Sequence, residues 1–195
     1  MKKNIIIAGV GGQGIVSIAT VIGYIAVKAN LYLKQSEVHG MSQRGGEVQS
    51  HLRVSDKPIA SDLVPKGKAD MIISVEPMES LRYMPWLSPN GWIITNTTPF
   101  VNIPNYPPIE TILDSIAKQP RHIALDAEKI AKDCGTEKSA NMVILGAASP
   151  LFDFTVEQYE DAMNFIFGRK GVKVVQTNID AFNTGRKIAL DAMKK

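Results

Sequence analysis

The sequence predicts an α/β fold of three layers, in which helices cover both faces of a mostly parallel, mixed sheet. Short apolar segments rich in β-branched residues alternate with amphipathic segments of helical period, and this alternation is typical of layered α/β domains. Residues 47–54 instead alternate polar and apolar side chains, which indicates a strand with one polar face and makes the sheet mixed. A chain of 195 residues can bury one sizeable core, so we expect a single Rossmann-like domain over residues 1–195.

The chain begins with a predicted strand, a glycine turn and a helix. Residues 5–8 form an apolar run typical of a strand buried on both faces, and apolar residues recur at helical spacing over residues 15–25. Between them, residues 9–14 read Gly-Val-Gly-Gly-Gln-Gly, which matches the G-x-G-x-x-G pattern. This pattern predicts an anionic group, such as a dinucleotide pyrophosphate, at the helix N-terminus. The alternative is that the glycines serve only the close packing of strand against helix.

The remaining elements are predicted in chain order from the same patterns. Residues 47–54 are expected to be an outer or antiparallel strand, because one face is polar. Proline-rich residues 98–108 predict an irregular surface connection. Because ligands of open α/β sheets bind beyond the carboxyl ends of strands, loops 9–14 and 36–46 are expected side by side at one edge. Further strands are predicted at 31–38, 69–75, 91–96 and 122–126, and further helices at 77–86, 111–118, 127–133, 139–148, 155–167 and 178–193.

Composition and charge exclude several classes of function. The net charge is +3 with the charges interspersed, so the basic stripe that nucleic acids require is missing. The only cysteine, Cys134, excludes an internal disulfide and any zinc or iron–sulfur site built from cysteines of this chain alone, and we expect no metal site. The apolar N-terminal run is too short for a membrane span or a signal peptide, so we expect a cytoplasmic protein without membrane contact.

Residues 36–46 form a second stretch that is rich in side chains able to bind a ligand or transfer a proton. They read Ser-Glu-Val-His-Gly-Met-Ser-Gln-Arg-Gly-Gly, and so gather a carboxylate, an imidazole, a guanidinium and an amide between glycines. A loop that only joined two strands would not need so many hydrogen-bonding groups. Together with Gly-Gly-Gln-Gly at 11–14, this loop resembles the gamma-type subunit of the 2-oxoacid:ferredoxin oxidoreductase family. Within that family, the chain is most similar to the beta subunit of indolepyruvate ferredoxin oxidoreductase.

The resemblance implies a fold like that of domain III of pyruvate:ferredoxin oxidoreductase and a role as the small subunit of a heteromeric enzyme. Such an enzyme oxidatively decarboxylates an aryl pyruvate with coenzyme A, giving an acyl-CoA, carbon dioxide and reduced ferredoxin. The resemblance places thiamine diphosphate and the [4Fe–4S] clusters in a large alpha subunit. This chain would then hold no cofactor by itself, be inactive alone and complete the active site. Without its partner it would expose an apolar interface, which favours a homodimer.

Residue roles within the two loops follow as hypotheses. Arg44 is a candidate to pair with the substrate carboxylate or a coenzyme A phosphate, and its alternative role is an ion pair with Glu37 that holds the loop. His39 is a candidate to move a proton, or else to fix the loop backbone, while Glu37 would orient His39 or reach a partner subunit. These three residues are the predicted catalytic set at the active-site rim. The predicted cofactor-binding set comprises Gly11, Gly12, Gln13, Gly14, Ser42, Gln43, Gly45 and Gly46.

Two other classes of function remain open on the sequence. A stand-alone Rossmann-type protein would bind NAD or FAD at residues 9–14 and place Glu37 on a ribose hydroxyl. A non-catalytic scaffold would use an apolar rim only to bind its partner. The long polar loop after Val38 disfavours the first class, because a short turn into the next helix is expected at that point.

Overall fold

A mixed sheet of six strands forms the centre of the computed structural model, which describes residues 1–40 and 45–194. The strands are β1 Lys2–Val10, β2 Tyr32–His39, β3 Glu47–Ser55, β4 Ala69–Ser74, β5 Leu87–Asn96 and β6 His122–Leu125. Their order across the sheet is β2-β3-β1-β4-β5-β6. Strands β1, β4, β5 and β6 run parallel, whereas β3 is antiparallel to both of its neighbours, β1 and β2.

Helices cover both faces of this sheet. The described residues form α1 Ile15–Lys28, α2 Pro77–Arg82, α3 Ile109–Ala117, α4 Ala127–Asp133, α5 Ala140–Ala148, α6 Val156–Phe167 and α7 Val172–Ala192. One core cluster joins Ile5 and Ile7 of β1 to side chains of α1 and of α4 to α7. On the opposite face, Ile6 packs with Ile72 and Tyr83, and α3 packs against β5 in a separate cluster. The predicted three-layer α/β/α fold with a mixed sheet is therefore confirmed.

Strand β1 lies at the centre because both of its faces are apolar. Ile5, Ile6, Ile7 and Ala8 are fully buried, as expected of a strand with neighbours on both sides and helices on both faces. Burying each isoleucine contributes roughly 1.5–3 kcal/mol relative to leaving it exposed. Since β1 ends at Val10, the glycine turn leaves from the middle of the edge at which the parallel strands end. We call this edge the carboxyl edge.

Two glycines bring helices α5 and α7 into backbone contact. A Cβ atom on Gly146 would lie 2.0 Å from the carbonyl oxygen of Phe182, and one on Gly185 would lie 2.1 Å from that of Val143. Neither position accepts a side chain unless the two helices move apart. The helix predicted at 139–148 therefore packs closely against α7.

Strand β3 differs in part from its prediction. It is antiparallel, as expected, but it is not the outer strand, because β2 covers it. Its expected polar face is also partly inside the protein. His51 is buried there, and its Nδ1 accepts a hydrogen bond from the Val64 amide at 3.0 Å. A neutral imidazole with this partner can occupy a position that alternation alone assigned to solvent.

Two helix boundaries also differ. Helix α2 ends at Arg82 rather than at 86, since Pro85 cannot continue an α-helix, and a 3₁₀ turn follows at Met84–Trp86. Helix α7 begins at Val172 rather than at 178, because burial of Val175 in the core outweighs the weak helix propensity of a valine-rich start. Across the described part of the chain, no helix is both long and apolar enough to cross a membrane.

Candidate functional site

The glycine turn and the second loop meet at the carboxyl edge. The amide of Gly11 donates to the carbonyl oxygen of Gly46 at 2.8 Å, and the amide of Gly45 donates to that of Gly11 at 3.4 Å. The expected proximity of the two loops is thus confirmed by main-chain hydrogen bonds between them. Three members of the predicted sets lie outside the described residues, and their roles stay predictions: Ser42, Gln43 and Arg44.

The glycines of the turn serve different purposes. A Cβ atom on Gly9 would lie 2.3 Å from Cγ2 of Val75, and one on Gly14 would lie 2.4 Å from Nδ2 of Asn141. A side chain at Gly9 would force Val75 to move, and one at Gly14 would displace the Asn141 amide and occupy a positive φ of 81°. Gly12 has a positive φ of 101°, but open space surrounds the place of its missing side chain. The packing alternative thus explains Gly9 and Gly14, whereas the room at Gly12 suits a ligand against the backbone.

A groove of about 990 Å³ opens at the carboxyl edge, on the side of the turn that faces α4, α5 and α7. Its walls include residues 12–14, the start of α4, residues 135–141 and the first turns of α7. Gln13 both lines this groove and caps the turn, since its Oε1 accepts a hydrogen bond from the Val10 amide at 2.8 Å. Among the described residues, none of loop 36–46 lines the groove. Residues 12–14 of the glycine turn therefore line the groove, whereas Gly11 contacts Gly45 and Gly46 of the second loop.

Lysines outnumber acidic residues among the charged side chains of the groove. Lys138, Lys170 and Lys173 line it together with Glu128 and Glu137. Burial, reinforced by neighbouring carboxylates, raises the pKa of Glu128. The groove also contains the N-terminal end of α1, where the helix dipole and backbone amides favour anions. The start of α4 offers less, because Asp126 and Asn96 already accept hydrogen bonds from its amides. The sequence prediction missed these lysines because they come from two separate segments that share no motif.

Glu37 and His39 form a contact on strand β2. Oε1 of Glu37 lies 2.6 Å from Nε2 of His39, and Oε2 of Glu37 accepts a hydrogen bond from Nε2 of Gln35 at 3.4 Å. The glutamate side chain is 17% exposed and the histidine side chain 55% exposed. The two residues are two apart on one strand and therefore share a face. This geometry suits the predicted role of Glu37 in orienting an accessible imidazole.

A buried carboxylate that the sequence prediction missed lies at the end of β4. Glu76 is 1% exposed, and its Oε2 accepts a hydrogen bond from the Glu79 amide at 2.9 Å, which caps α2. Oε1 of Glu76 accepts from the Phe100 amide at 3.3 Å and from the Tyr106 hydroxyl. Burial and the bond to Glu76 raise the pKa of Tyr106. The only signal in the sequence is Glu76-Pro77, which predicts a helix start and nothing about residues 100 and 106.

A salt-bridge network lies beside this carboxylate. Glu79 is buried and pairs with Nε of Arg82 at 2.9 Å, while Nη1 of Arg82 lies 3.2 Å from Glu47 at the start of β3. Burial raises the pKa of Glu79 against the opposing influence of Arg82. The network therefore links helix α2 to the strand that follows the second loop.

The irregular connection predicted at 98–108 is confirmed, and it crosses the carboxyl edge. We call residues 97–108 the crossing segment. Nδ2 of Asn102 donates a hydrogen bond to the carbonyl oxygen of Gly45, so the crossing segment touches the second loop. Three of its apolar side chains remain partly or largely exposed: Phe100, Val101 and Ile103.

Comparison with known proteins identifies the family. The profile of the pyruvate ferredoxin/flavodoxin oxidoreductase family matches residues 4–188. The chain belongs to this family. It is 37% identical over 204 residues to the indolepyruvate oxidoreductase subunit IorB of Pyrococcus horikoshii, with 99% of both chains covered. It is 33% identical over 199 residues to the subunit IorB of Archaeoglobus fulgidus, covering 97% of this chain and 96% of the relative.

Solved structures share the fold. The gamma subunit of a keto/oxoacid ferredoxin oxidoreductase from Geobacter sulfurreducens aligns with a TM-score of 0.71 and 24% identity, covering 97% of this chain and 99% of that one. A 2-oxoglutarate:ferredoxin oxidoreductase from Magnetococcus marinus aligns with a TM-score of 0.80 and 22% identity over 97% of this chain, which corresponds to 31% of that longer chain. At these identities the likeness shows the fold alone.

Family membership settles the class of function. The chain is a small, gamma-type subunit of an oxoacid ferredoxin oxidoreductase, as the two loop motifs predicted. The alternative of a stand-alone protein that binds NAD or FAD is not favoured, since the full-length relatives are oxidoreductase subunits. Among the described residues, no group of three or more His, Cys, Asp or Glu side chains is arranged to hold a metal ion.

Proposed function

We propose that the chain is the small subunit of an indolepyruvate ferredoxin oxidoreductase. The enzyme would convert aryl pyruvates and coenzyme A to acyl-CoA, carbon dioxide and reduced ferredoxin. One observation carries the choice of substrate: four relatives at 33–37% identity are named indolepyruvate oxidoreductase subunits. Relatives named for pyruvate, ketoisovalerate or 2-oxoglutarate are only 27–28% identical.

The catalytic cofactors would be held by a large partner subunit. Cys134 is the only cysteine and cannot by itself ligate an iron–sulfur cluster. It lies half-buried, with its Sγ 3.6 Å from the Thr184 hydroxyl. Thiamine diphosphate in the partner would supply the electron sink for decarboxylation, and iron–sulfur clusters would accept the electrons. This chain would contribute placement and electrostatics at the shared site.

Coenzyme A phosphates fit the groove beside the glycine turn. The groove offers three lysines, the N-terminus of α1 and the open backbone at Gly12. Each of these features favours a phosphate-bearing anion. We place the phosphates of the co-substrate near Gly12, Lys170 and Lys173, with Gln13 and Gly14 forming the wall behind them.

The other side of the turn would face the 2-oxoacid. Arg44, whose guanidinium can pair with a carboxylate through two hydrogen bonds, is the proposed partner of the substrate carboxylate. His39, held by Glu37 at 2.6 Å, is the proposed site of proton movement at the rim. Ser42, Gln43, Gly45 and Gly46 would complete the loop around the ligand.

The cytoplasmic location, the single domain and the homodimer of the isolated chain remain predictions.

A reconstituted complex tests this function. The chain is co-expressed with the large subunit of its own organism, and viologen reduction is measured with coenzyme A and indolepyruvate, phenylpyruvate, pyruvate or 2-oxoglutarate. We expect kcat/KM for the aryl substrates to exceed that for the others by at least about tenfold, which corresponds to ~1.4 kcal/mol. Each subunit alone is the control and should be inactive. A preference for pyruvate or 2-oxoglutarate would overturn the substrate, and no turnover with any of the four would overturn the function.

A further inference from the structure

Two buried amide side chains line the groove at the carboxyl edge. Asn141, at the start of α5, and Asn178, in the second turn of α7, are each 8% exposed. Buried polar groups in proteins are normally paired, because a hydrogen bond that is not made away from water is costly. The hydrogen bonds of these two amides therefore show what the groove wall still offers to a ligand.

The main chain already engages the nitrogen of each amide. Nδ2 of Asn141 donates to the carbonyl oxygen of Gly14 at 3.1 Å, and Nδ2 of Asn178 donates to that of Val174 at 2.7 Å. A carbonyl oxygen can only accept, so each amide must present its nitrogen to it. Oδ1 of each side chain consequently points away from this main-chain partner.

The oxygens of the two amides are acceptors without a partner. No donor from the described residues reaches Oδ1 of Asn141 or of Asn178. Of the described side chains, those with a fully enclosed polar atom and no partner are Gln49 and Tyr159. The Oδ1 atoms of the two asparagines therefore keep contact with the groove that they line. A ligand that fills the groove must supply hydrogen-bond donors to both oxygens, or it leaves two acceptors unpaired and loses affinity.

The phosphates assigned to this groove do not supply those donors. Phosphate oxygens are acceptors, and they suit the lysines and the backbone amides of the groove rather than an amide oxygen. The groove has a volume of about 990 Å³, which lies at the upper end of the ~300–1,000 Å³ typical of sites for organic ligands. The unpaired acceptors and the volume together indicate that an organic part of the ligand, with N–H or O–H groups, lies beside its phosphates.

We propose that Asn141 and Asn178 are specificity-determining residues, whose Oδ1 atoms accept hydrogen bonds from N–H or O–H groups of the co-substrate. The identity of that co-substrate, coenzyme A, rests on the proposed function. Coenzyme A carries such groups on both sides of its diphosphate: an amine and a hydroxyl in the adenosine half, and amides and a hydroxyl in the pantetheine half. The lysines and the N-terminus of α1 then hold the phosphates, and the two asparagines distinguish coenzyme A from other anions that bear phosphates.

Calorimetric titration of the full chain tests the inference with four probes: coenzyme A, adenosine 3′,5′-bisphosphate, 4′-phosphopantetheine and inorganic pyrophosphate. We expect pyrophosphate to bind at least about tenfold more weakly than coenzyme A, because it has phosphates but no organic part to pair with the asparagines. The other two probes show which half of coenzyme A supplies the donors. Equal affinities for coenzyme A and pyrophosphate would overturn the inference. So would the absence of coenzyme A binding both to the chain and to its complex with the large subunit.

Alanine variants remove the two acceptors one at a time. Asn178→Ala and Asn141→Ala should each weaken binding of coenzyme A about 3- to 10-fold, as expected for one neutral hydrogen bond, and leave binding of pyrophosphate within about twofold. Asn178→Ala is the cleaner test, because Asn141→Ala also releases the carbonyl oxygen of Gly14 in the turn. Asn183→Ala is the matched control, since Asn183 is an exposed residue of α7 outside the groove lining, and it should change neither affinity.

The pattern across probes decides the role of the asparagines. If Asn178→Ala weakened binding of pyrophosphate as much as that of coenzyme A, Asn178 would act by shaping the groove or holding its lysines, and the inference would be wrong. Circular dichroism checks that each variant is folded. The comparison of probes on the wild-type chain requires no variant, so it decides the outcome even if a variant does not fold.

Binding without turnover separates failure of this inference from failure of the proposed function. If Asn178→Ala selectively weakens binding of coenzyme A but the reconstituted wild-type complex turns over none of the four 2-oxoacids, the proposed function fails and the role of the asparagines stands. If the complex turns over aryl pyruvates while Asn178→Ala leaves both the Kd and the KM for coenzyme A unchanged, the function stands and the role of the asparagines fails.

Discussion

The two sides of the glycine turn are held in different ways. On the groove side, the wall is backed by packed helices, with Gly14 against Asn141 and the backbones of α5 and α7 in contact. On the loop side, the hydrogen bonds that join the described loop residues to the turn and to the crossing segment are few, and glycine ends the loop. Close packing resists deformation, whereas contacts made by single hydrogen bonds open at a lower cost in free energy. Under the proposed function, the co-substrate would bind on the packed side of the turn and the 2-oxoacid on the side whose described contacts are hydrogen bonds.

The largest effect is expected at Arg44, on the loop side. Arg44→Ala in the reconstituted complex should lower kcat/KM for the 2-oxoacid about 100-fold, because the substrate carboxylate would lose its proposed two-point partner. Arg44→Lys should recover only part of the activity, since lysine keeps the charge but not the planar fork. Steady-state kinetics with varied 2-oxoacid and varied coenzyme A provides the measurement. Unchanged KM values for both substrates, with an unchanged kcat, would exclude Arg44 from the site. Failure of the complex to assemble would instead favour the alternative role of Arg44, an ion pair with Glu37 that holds the loop.

Rigidity of the groove side is tested at Gly14. Gly14→Ala should destabilise the chain by about 2–3 kcal/mol, because the new methyl group meets Asn141 at a position that also requires a positive φ. Gly12→Ala should destabilise it by only about 1 kcal/mol, since open space surrounds Gly12 and only the backbone is strained. Denaturant unfolding of the isolated chain measures both. Equal losses at the two positions would contradict the distinction between a packed glycine and an open one.

The assignment of coenzyme A to the groove is tested with its lysines. The double variant Lys170→Gln and Lys173→Gln should raise the KM for coenzyme A about tenfold and weaken its dependence on salt, while the KM for the 2-oxoacid stays within twofold. The double variant Lys118→Gln and Lys187→Gln is the charge-matched control, because both lysines are exposed and lie outside the groove lining. A rise in the KM for the 2-oxoacid, with an unchanged KM for coenzyme A, would contradict the assignment of coenzyme A to the groove.

The smallest expected effect is the pH dependence of stability that His51 contributes, and this residue belongs to neither side of the turn. Burial lowers the pKa of His51, so this histidine is neutral in the folded protein under conditions where the unfolded chain binds a proton. A lowered folded-state pKa contributes stability that is present above the unfolded pKa of about 6.5 and is lost as the pH falls. We therefore expect stability to decline from pH 7 towards pH 5. His51→Gln, which keeps an acceptor for the Val64 amide, should show a shallower decline in thermal unfolding.

Much of the fold followed from local patterns. The β-branched run at Ile5–Ile7 predicted a central strand, and Thr155 with Gln158 produced the cap that starts α6. The alternation of polar and apolar residues predicted the burial of β3 less well. His51 lies on the polar face of this strand but is buried, because its ring nitrogen accepts a hydrogen bond inside the protein. The two loop motifs identified the family because each combines glycines with chemically specific side chains in a fixed order.

The sequence by itself determined the α/β fold, the strand and turn at the start of the chain, and the loop whose motif leads to an oxoacid oxidoreductase subunit. Those features depend on short-range periodicity and on residues close together in the chain. Only the tertiary structure decided that Glu76 holds Phe100 and Tyr106, that Asn102 reaches Gly45, and that lysines from two distant segments share one groove. Each of these pairings joins residues far apart in sequence, and strand order and helix packing, which no local pattern encodes, bring them together.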